Sequence, residues 1–173
     1  MDNLIDAPKV SLPTIASLLD HAGIDYIPND DDSLYVTGFK FNFWVRLDHD
    51  SQYLIYWTYA DVNLDAGDVP LLRFVNDCND DLVLVQFSYD DETHRFKGTY
   101  IISFKDGLVP PQITRLGSLF AGVFNEAVDT GIIEGLLKPL AYSGESDRDV
   151  ADDAGEAGEA PGGAGDFAGA TKH

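Results

Sequence analysis

The stretch FNFWVRLDHDSQYLIYWTYA, residues 41–60, contains the two strands that decide the fold. Apolar and other side chains alternate over residues 41–47, which is the period of a strand that buries one face. His49, Asp50 and Ser51 turn the chain, and residues 53–60 form a second strand that is apolar on both faces. Strands joined by a tight turn pair antiparallel. The stretch therefore predicts an antiparallel pair with at least one buried face.

This pair carries more large rings than one buried face can shelter. Trp44 falls on the parity opposite Phe43 and Val45, and the second strand has aromatic residues on both parities. A layer of helices covers one face of a sheet, and exposed aromatic residues on the other face suit a partner. We therefore hypothesise a partner-binding surface that includes Trp44, Tyr56 and Trp57. Which of these rings share a face depends on the register of the strands, which the sequence leaves open.

Helical patterns lie on both sides of this pair. Ser11 as a cap, Pro13 in the first turn and Gly23 at the end predict a helix over residues 12–22. Asp68 is the predicted cap of a second helix, which ends near residues 79–80. Its predicted buried stripe is Leu71, Leu72, Val75 and Cys78. Apolar residues at helical spacing predict a long third helix from about residue 110 to Gly131, followed by a helical piece over residues 132–140.

Four other segments have the composition of strands. They are residues 24–28, 34–39, 82–89 and 95–104, and the first is left open as a separate element. The predicted order is therefore α-β-β-β-α-β-β-α. This order indicates an α+β fold, in which helices pack on one face of an antiparallel sheet.

The charge and composition divide the chain into two parts. The net charge is −19, and residues 142–173 are rich in Gly and Ala with eight acidic and two basic residues. Such a segment cannot bury enough surface to offset its ordering entropy. We predict a domain over residues 1–141 and a disordered acidic tail over residues 142–173. The domain keeps a charge of −13, which argues against a nucleic-acid partner or an anionic membrane.

The cysteine content and the apolar segments favour the cytoplasm. Cys78 is the one cysteine, so the chain forms no internal disulfide that would need an oxidising compartment. No apolar run has the length of a signal sequence or of a membrane span.

Candidate metal ligands and nucleophiles each have a simpler interpretation. Residues 61–67, DVNLDAG, resemble the start of a calcium loop, but the glycine comes one place late and Leu72 stands where the closing Glu belongs. The three consecutive aspartates at residues 30–32 could bind a hard cation, but we interpret them as a solvated turn. The histidines, His21, His49, His94 and His173, lack ligand spacing. Cys78 is interpreted as a packed core thiol. We expect no catalytic group, no metal and no cofactor.

The chain also resembles the YbjN family of bacterial sensory transduction regulators. The resemblance is carried by LRFVNDCN at residues 72–79 and LVLVQF at residues 82–87, with further similarity in the first and third helices. It spans roughly residues 14–140. That family is similar in fold to type III secretion chaperones, which are small, acidic, usually dimeric proteins that hold an extended client segment. Asn76 and Asn79 match the family's pattern, and we interpret both as structural residues at the helix end.

Two functions remain open from the sequence. The resemblance implies a non-enzymatic protein-binding module, chaperone-like or regulatory, that forms a homodimer and binds its partner through the aromatic sheet face or a sheet edge. The alternative is a small-ligand binder or enzyme with a pocket of acidic and aromatic residues.

Overall fold

A computed structural model describes residues 4–139, and the predicted tail of residues 142–173 lies outside the described residues. Within the described range the helices are α1 (Leu12–Ala22), α2 (Asp68–Asp81) and α3 (Pro110–Ile133). The strands are β1 (Tyr26–Pro28), β2 (Ser33–Val36), β3 (Phe43–Asp48), β4 (Tyr53–Asp61), β5 (Gln86–Asp90) and β6 (Arg95–Ser103). Two short 3-10 helices lie at Ala7–Lys9 and Leu64–Ala66.

The first helix begins and ends at its predicted capping residues. The Ser11 hydroxyl accepts a hydrogen bond from the Thr14 N–H at 3.3 Å. Gly23, with φ of +67°, ends the helix in the left-handed conformation. Ile15 and Leu19 are buried, and the helix contacts α3 and β2. The local signals in the sequence are therefore sufficient to define α1.

All six strands form one antiparallel sheet in the order β1-β2-β3-β4-β6-β5. The short strand that the sequence left open is a separate element, because Tyr26 pairs with Val36 and Pro28 with Leu34. The element order of the described chain is therefore α-β-β-β-β-α-β-β-α. This order places β1 and β5 at the two edges and β4 near the centre.

The helices pack on one face of the sheet, as predicted. Alternate residues of the strands join the helices in a single apolar core. Phe43 contacts Phe120 of α3 with ring centroids 5.5 Å apart, and Phe96 contacts Phe74 of α2 at 5.3 Å. The strand residues of the other parity point away from this core.

Two close approaches hold the helix layer against the rest of the fold. A Cβ at Gly98 of β6 would lie 2.5 Å from Phe124 of α3, so only glycine fits at this contact. A Cβ at Gly131 would lie 2.6 Å from the Leu137 side chain, which folds back after α3. Both positions therefore need the absence of a side chain for steric reasons.

The predicted strand over residues 82–89 begins later than the sequence indicated. Leu84 has φ of +77°, which a strand residue cannot adopt, and β5 starts at Gln86. Val85 is buried, whereas Val83 is 74% exposed and Leu84 is 45% exposed. The chain from α2 into β5 is thus an irregular loop with two exposed apolar side chains.

The predicted start and buried stripe of α2 also need correction. Gly67 occupies the N-cap position, and Asp68 is the first helical residue rather than the cap. Leu72 is 50% exposed, and Phe74 takes its predicted place in the core beside Leu71, Val75 and Cys78. The buried side of α2 is therefore rotated relative to the predicted one, because it faces β5 and β6.

The predicted helical piece over residues 132–140 does not form in the described part of the chain. Gly135, with φ of +72°, turns the chain after α3. Leu137 then makes an isolated β-bridge with Val62, and the Lys138 N–H donates to the Asp61 carbonyl at 2.9 Å. The segment after α3 is therefore attached to the end of β4. None of the helices in residues 4–139 is both long enough and apolar enough to span a bilayer.

Candidate functional site

The open face is the side of the sheet that points away from the helices. Register fixes its central row, in which Tyr35 pairs with Trp44, Trp44 with Trp57, and Trp57 with Thr99. Strand side chains of the same parity share this face. The open face also includes Arg46, Ile55, Tyr59, Arg95, Lys97 and Ile101.

Four aromatic residues on the open face, which we call the ring cluster, pack on one another. The ring cluster consists of Tyr35, Trp44, Trp57 and Tyr59. Trp44 stacks on Trp57 at 4.5 Å and on Tyr59 at 5.6 Å, and it contacts Tyr35 at 4.7 Å. Offset stacks of this kind stabilise by about 0.5–1.5 kcal/mol each beyond the area that they bury. Trp44 is only 2% exposed, although it is absent from the core under the helices. Its neighbours in the ring cluster therefore account for its burial.

The outer members of the ring cluster remain accessible. Trp57 and Tyr59 are half-buried, and Ile101, two residues along β6 from Thr99, is 47% exposed. Trp and Tyr are enriched where proteins bind other proteins, because their rings give large contact areas with few rotatable bonds. The open face therefore combines a rigid base with an accessible apolar surface.

Cationic groups flank the ring cluster. The Arg95 guanidinium lies 3.9 Å from the centroid of the Tyr59 ring, which is cation–π distance. Arg46 is exposed beside Ile55 on the neighbouring strand. Lys97 forms an ion pair with Asp90 of β5. Its hydrogen bond lowers the pKa of the Asp90 carboxyl to about 2, aided by the Thr93 backbone N–H and opposed by partial burial.

One polar atom of the ring cluster lacks a partner. The indole Nε1 of Trp44 is buried and has no hydrogen-bond acceptor among the residues that the structure describes. Most buried polar atoms in proteins are hydrogen-bonded, so such a donor calls for an explanation. The stacking of the Trp44 ring on Trp57 and Tyr59 opposes the cost of this unpaired donor.

The structure brings two of the three sequence-predicted binding residues together. Trp44 and Trp57 are direct cross-strand partners on the open face. Tyr56 lies on the opposite face, where it is 2% exposed and its hydroxyl donates to the Ile113 carbonyl of α3 at 3.0 Å. Burial raises the pKa of this phenol. Placing Tyr56 with the two tryptophans is therefore wrong, because its parity on β4 points it under α3.

Asn79 has a structural role, but a different one from that predicted. Its side-chain Oδ1 accepts from the Phe87 N–H at 2.8 Å, and its Nδ2 donates to the Phe87 carbonyl at 3.0 Å. Asn79 therefore binds the β5 backbone as a neighbouring strand would. The helix itself continues to Asp81 and ends without a left-handed residue, since Leu82 has φ of −104°. Asn76 is exposed inside α2 and does not end the helix either.

The sequence-based surface missed Tyr35, Tyr59 and Arg95. Tyr59 and Trp57 have the same parity on β4, which is visible in the sequence. Tyr35 could be assigned to the open face only once the register between β2 and β3 was known. Arg95 likewise required the register between β4 and β6. No sequence signal pointed to the bond between Asn79 and Phe87, because a helix and a strand edge meet there only after folding.

The structure shows the surroundings of the groups that the sequence offered for catalysis or metal binding. Burial, together with the carboxylates of Glu134, Asp77 and Asp81, raises the pKa of the Cys78 thiol to about 12. A thiol of that pKa stays protonated near neutrality and is a poor nucleophile. In the loop after β4, the Asn63 side chain accepts from the Asp65 N–H, which forms a local turn. Among residues 4–139, no group of three or more His, Cys, Asp and Glu side chains has the arrangement of a metal site.

Comparison with known proteins agrees with this fold. The family model YbjN, described as "Putative bacterial sensory transduction regulator", matches residues 11–130. The crystal structure of YbjN from E. coli is similar to this chain with a TM-score of 0.68 at 17% identity, covering 79% of this chain and 100% of that chain. No match is found among curated proteins.

Two further solved structures show weaker similarity. A chain of the HopA1-SchA chaperone-effector complex has a TM-score of 0.48 at 12% identity, covering 66% of this chain and 88% of that chain. A chain of the ExsC-ExsE complex has a TM-score of 0.42 at 13% identity, covering 68% of this chain and 92% of that chain.

Proposed function

We propose, from the premise that this chain belongs to the YbjN family, that the domain is a non-enzymatic protein-binding module of a regulatory or chaperone-like kind. Its protein partner binds on the open face of the sheet. The observation that carries the proposal is the ring cluster, in which Trp44 is buried by neighbouring rings while Trp57 and Tyr59 stay accessible.

The composition of the open face suits a protein partner. Interface residues that contribute most to affinity are enriched in Trp, Tyr and Arg. Trp57, Tyr59 and Arg95 lie side by side here, and stacking fixes the rings before any partner arrives. A prearranged surface loses less conformational entropy on binding. The open face is therefore a better candidate for the partner-binding surface than the separate exposed leucines elsewhere.

The two sheet edges are poor sites for adding a strand. At β5, the Phe87 N–H and carbonyl are already bound by Asn79. At the other edge, β1 is three residues long and contains Pro28, which has no N–H to donate. A partner that needs a continuous row of free backbone groups finds none at either edge. The sequence left open whether the partner binds the sheet face or adds to a sheet edge. The blocked edges favour binding on the open face.

The alternative of an enzyme or small-ligand binder has less support. Sites for drug-sized ligands have volumes of about 300–1,000 Å³ and contain converging polar groups. A cleft between the first half of α2 and the turn after α3, with Val69, Phe74 and Leu136 in its lining, has a volume of about 240 Å³ and is partly open to solvent. Cys78 is protonated and lies in the core. These features favour the protein-binding function.

The same proposal includes a homodimer in the cytoplasm. Both expectations come from the sequence and the family, and α3 adds exposed Leu119 and Ile133 as apolar residues that self-association would bury. Size-exclusion chromatography with light scattering tests the dimer. A mass of two chains at micromolar concentration is expected, and a strict monomer would contradict this part of the proposal.

Affinity capture from the native lysate tests the partner. We expect at least one protein retained by the wild-type chain to be lost with Trp57→Ala and kept with Leu4→Ala, which removes an exposed apolar side chain before α1. Trp44→Ala is unsuitable, because removing a buried ring leaves a cavity that costs about 3–5 kcal/mol. Equal recovery with Trp57→Ala and wild type would argue against the open face.

A further inference from the structure

A second surface lies away from the open face, where the first half of α2 meets the turn after α3. A cleft of about 240 Å³ is formed there by Val69, Pro70, Arg73, Phe74, Asp77, Glu134 and Leu136. An engineered apolar cavity of about 150 Å³ is known to hold a benzene ring, so this cleft has room for one large side chain. It is too small for a drug-sized molecule.

The wall formed by the turn after α3 is held by several hydrogen bonds. The Leu136 N–H donates to the Gly131 carbonyl at 2.8 Å, and the Leu136 carbonyl accepts from the Asn63 N–H at 2.8 Å. The Asn63 side chain also donates to the Gly135 carbonyl at 2.9 Å. Behind the wall, Gly131 allows Leu137 and Phe74 to pack against α3. These hydrogen bonds therefore hold this wall of the cleft in place.

The cleft has apolar side chains at its rim and its floor. Val69 is 70% exposed at the rim. Phe74 contributes a buried ring to the floor. A side chain entering the cleft would therefore remove the apolar surface of Val69 from water and contact the Phe74 ring.

The charged groups at the rim are uncompensated. Within residues 4–139, the side chains of Arg73, Asp77 and Glu134 form no ion pair or hydrogen bond. Two carboxylates, Asp77 and Glu134, therefore outnumber the single guanidinium of Arg73 at the rim. The domain as a whole carries a charge of −13, which attracts cations over a longer range.

We propose that this cleft binds a basic, amphipathic segment of a protein partner. A large apolar side chain of the segment fills the cleft against Phe74 and Leu136. Flanking lysine or arginine side chains pair with Asp77 and Glu134. The site is distinct from the open face, so the proposal holds whether or not the ring cluster binds a partner.

Nuclear magnetic resonance of the uniformly ¹⁵N-labelled full chain tests this site. The probe is a short peptide of leucine, lysine and glycine, compared with the same peptide carrying glutamate in place of lysine. Shifts are expected at residues 69–77 and 134–136 with the basic peptide and not with the acidic one. Shifts confined to the open face, or no shifts at millimolar peptide, would overturn the proposal.

Paired variants separate local recognition from general attraction. Asp77→Asn with Glu134→Gln is expected to weaken binding of the basic peptide about three- to tenfold, as two exposed ion pairs would. The matched control, Asp50→Asn with Asp106→Asn, removes the same charge from two exposed turns and is expected to change affinity less than twofold. Equal weakening by both pairs would overturn the proposal.

A third variant tests the apolar part of the cleft. Val69 is largely exposed, so Val69→Ser should leave the fold intact. It is expected to weaken the basic peptide about threefold without changing the salt dependence of binding. Unchanged affinity would contradict the role of the cleft.

Discussion

At the scale of single residues, Asn79 decides whether β5 can accept another strand. An unprotected sheet edge offers free N–H and carbonyl groups to any extended chain and is a common route to aggregation. The two bonds from Asn79 occupy both backbone groups of Phe87. A single side chain from the covering helix thus blocks the second residue of a five-residue edge strand.

Replacing Asn79 is expected to expose that edge. Asn79→Ala leaves two partly buried backbone groups without partners, so the free energy of unfolding should fall by about 1–3 kcal/mol. Urea denaturation measures the loss, and hydrogen exchange at the Phe87 amide should accelerate. The control is Asn76→Ala, an exposed position three residues earlier on the same helix, which should change stability by less than about 0.5 kcal/mol. Equal effects of the two variants would contradict the assigned role.

Tyr56 provides a second prediction at the residue scale. Tyr56→Phe removes the hydroxyl that donates to Ile113 and keeps the ring in the core. The expected loss is about 0.5–1.5 kcal/mol of unfolding free energy, with partner binding unchanged. Tyr53→Phe on the open face serves as the control for removal of a phenol hydroxyl. Loss of a partner with Tyr56→Phe at unaltered stability would contradict its placement under α3.

At the scale of elements, the β5–β6 hairpin contains an ion pair that depends on pH. Asp90 has a folded-state pKa of about 2, below its ordinary value of 3.8, because of its bond to Lys97. A carboxyl whose pKa is lowered by folding contributes stability above about pH 4 and loses that contribution as the pH falls toward 2. Both side chains are 24% exposed, so solvent limits the contribution to about 1 kcal/mol.

Lys97→Met tests this contribution through its pH dependence. Urea denaturation at pH 5 should show the variant less stable than wild type by about 0.5–1 kcal/mol. At pH 2.5 the difference should shrink, because Asp90 is then partly protonated in the wild type as well. A difference that stays constant between the two pH values would indicate that lost packing, rather than charge, explains the variant.

Replacing glycine by alanine should lower the stability at a position in the sheet and raise it at a position in α3. Gly98→Ala places a Cβ against the Phe124 ring and is expected to cost about 1–3 kcal/mol. Gly122 is exposed on α3 with nothing within 4 Å of its Cβ position, so Gly122→Ala should stabilise by about 0.5–1 kcal/mol. Thermal denaturation of both variants compares them directly. Destabilisation by Gly122→Ala would mean that this part of α3 packs against something.

Local signals explain which elements could be predicted from the sequence. Ser11 and Gly23 determine the ends of α1 through contacts within a few residues, and the sequence alone located them. Whether Trp57 or Tyr56 shares a face with Trp44 depends on pairing between two strands, which local patterns do not encode. The positive φ of Leu84 is likewise set by tertiary structure, because Val85 must reach the core beside Gly98.

At the scale of the whole molecule, charge and aromatic residues are distributed unevenly. Residues 4–139 contain nine Lys and Arg residues, and three of these, Arg46, Arg95 and Lys97, lie on the open face. The register places Asp48, Asp61 and Asp90 on the same face, so its formal charges balance. The cleft beside α2 differs, since two carboxylates and one guanidinium lie at its rim. The open face is therefore aromatic with balanced charge, whereas the cleft has a net negative rim.

Photo-crosslinking in the native cells tests the central claim, that a different protein binds the ring cluster. A benzophenone amino acid replaces Trp57 on the open face and, in a second strain, Leu4 before α1, which is 51% exposed. The account predicts that position 57 gives a discrete adduct with a different protein and that position 4 does not. Identical adducts at both positions, no adduct at position 57, or an adduct only between two copies of this chain would contradict it.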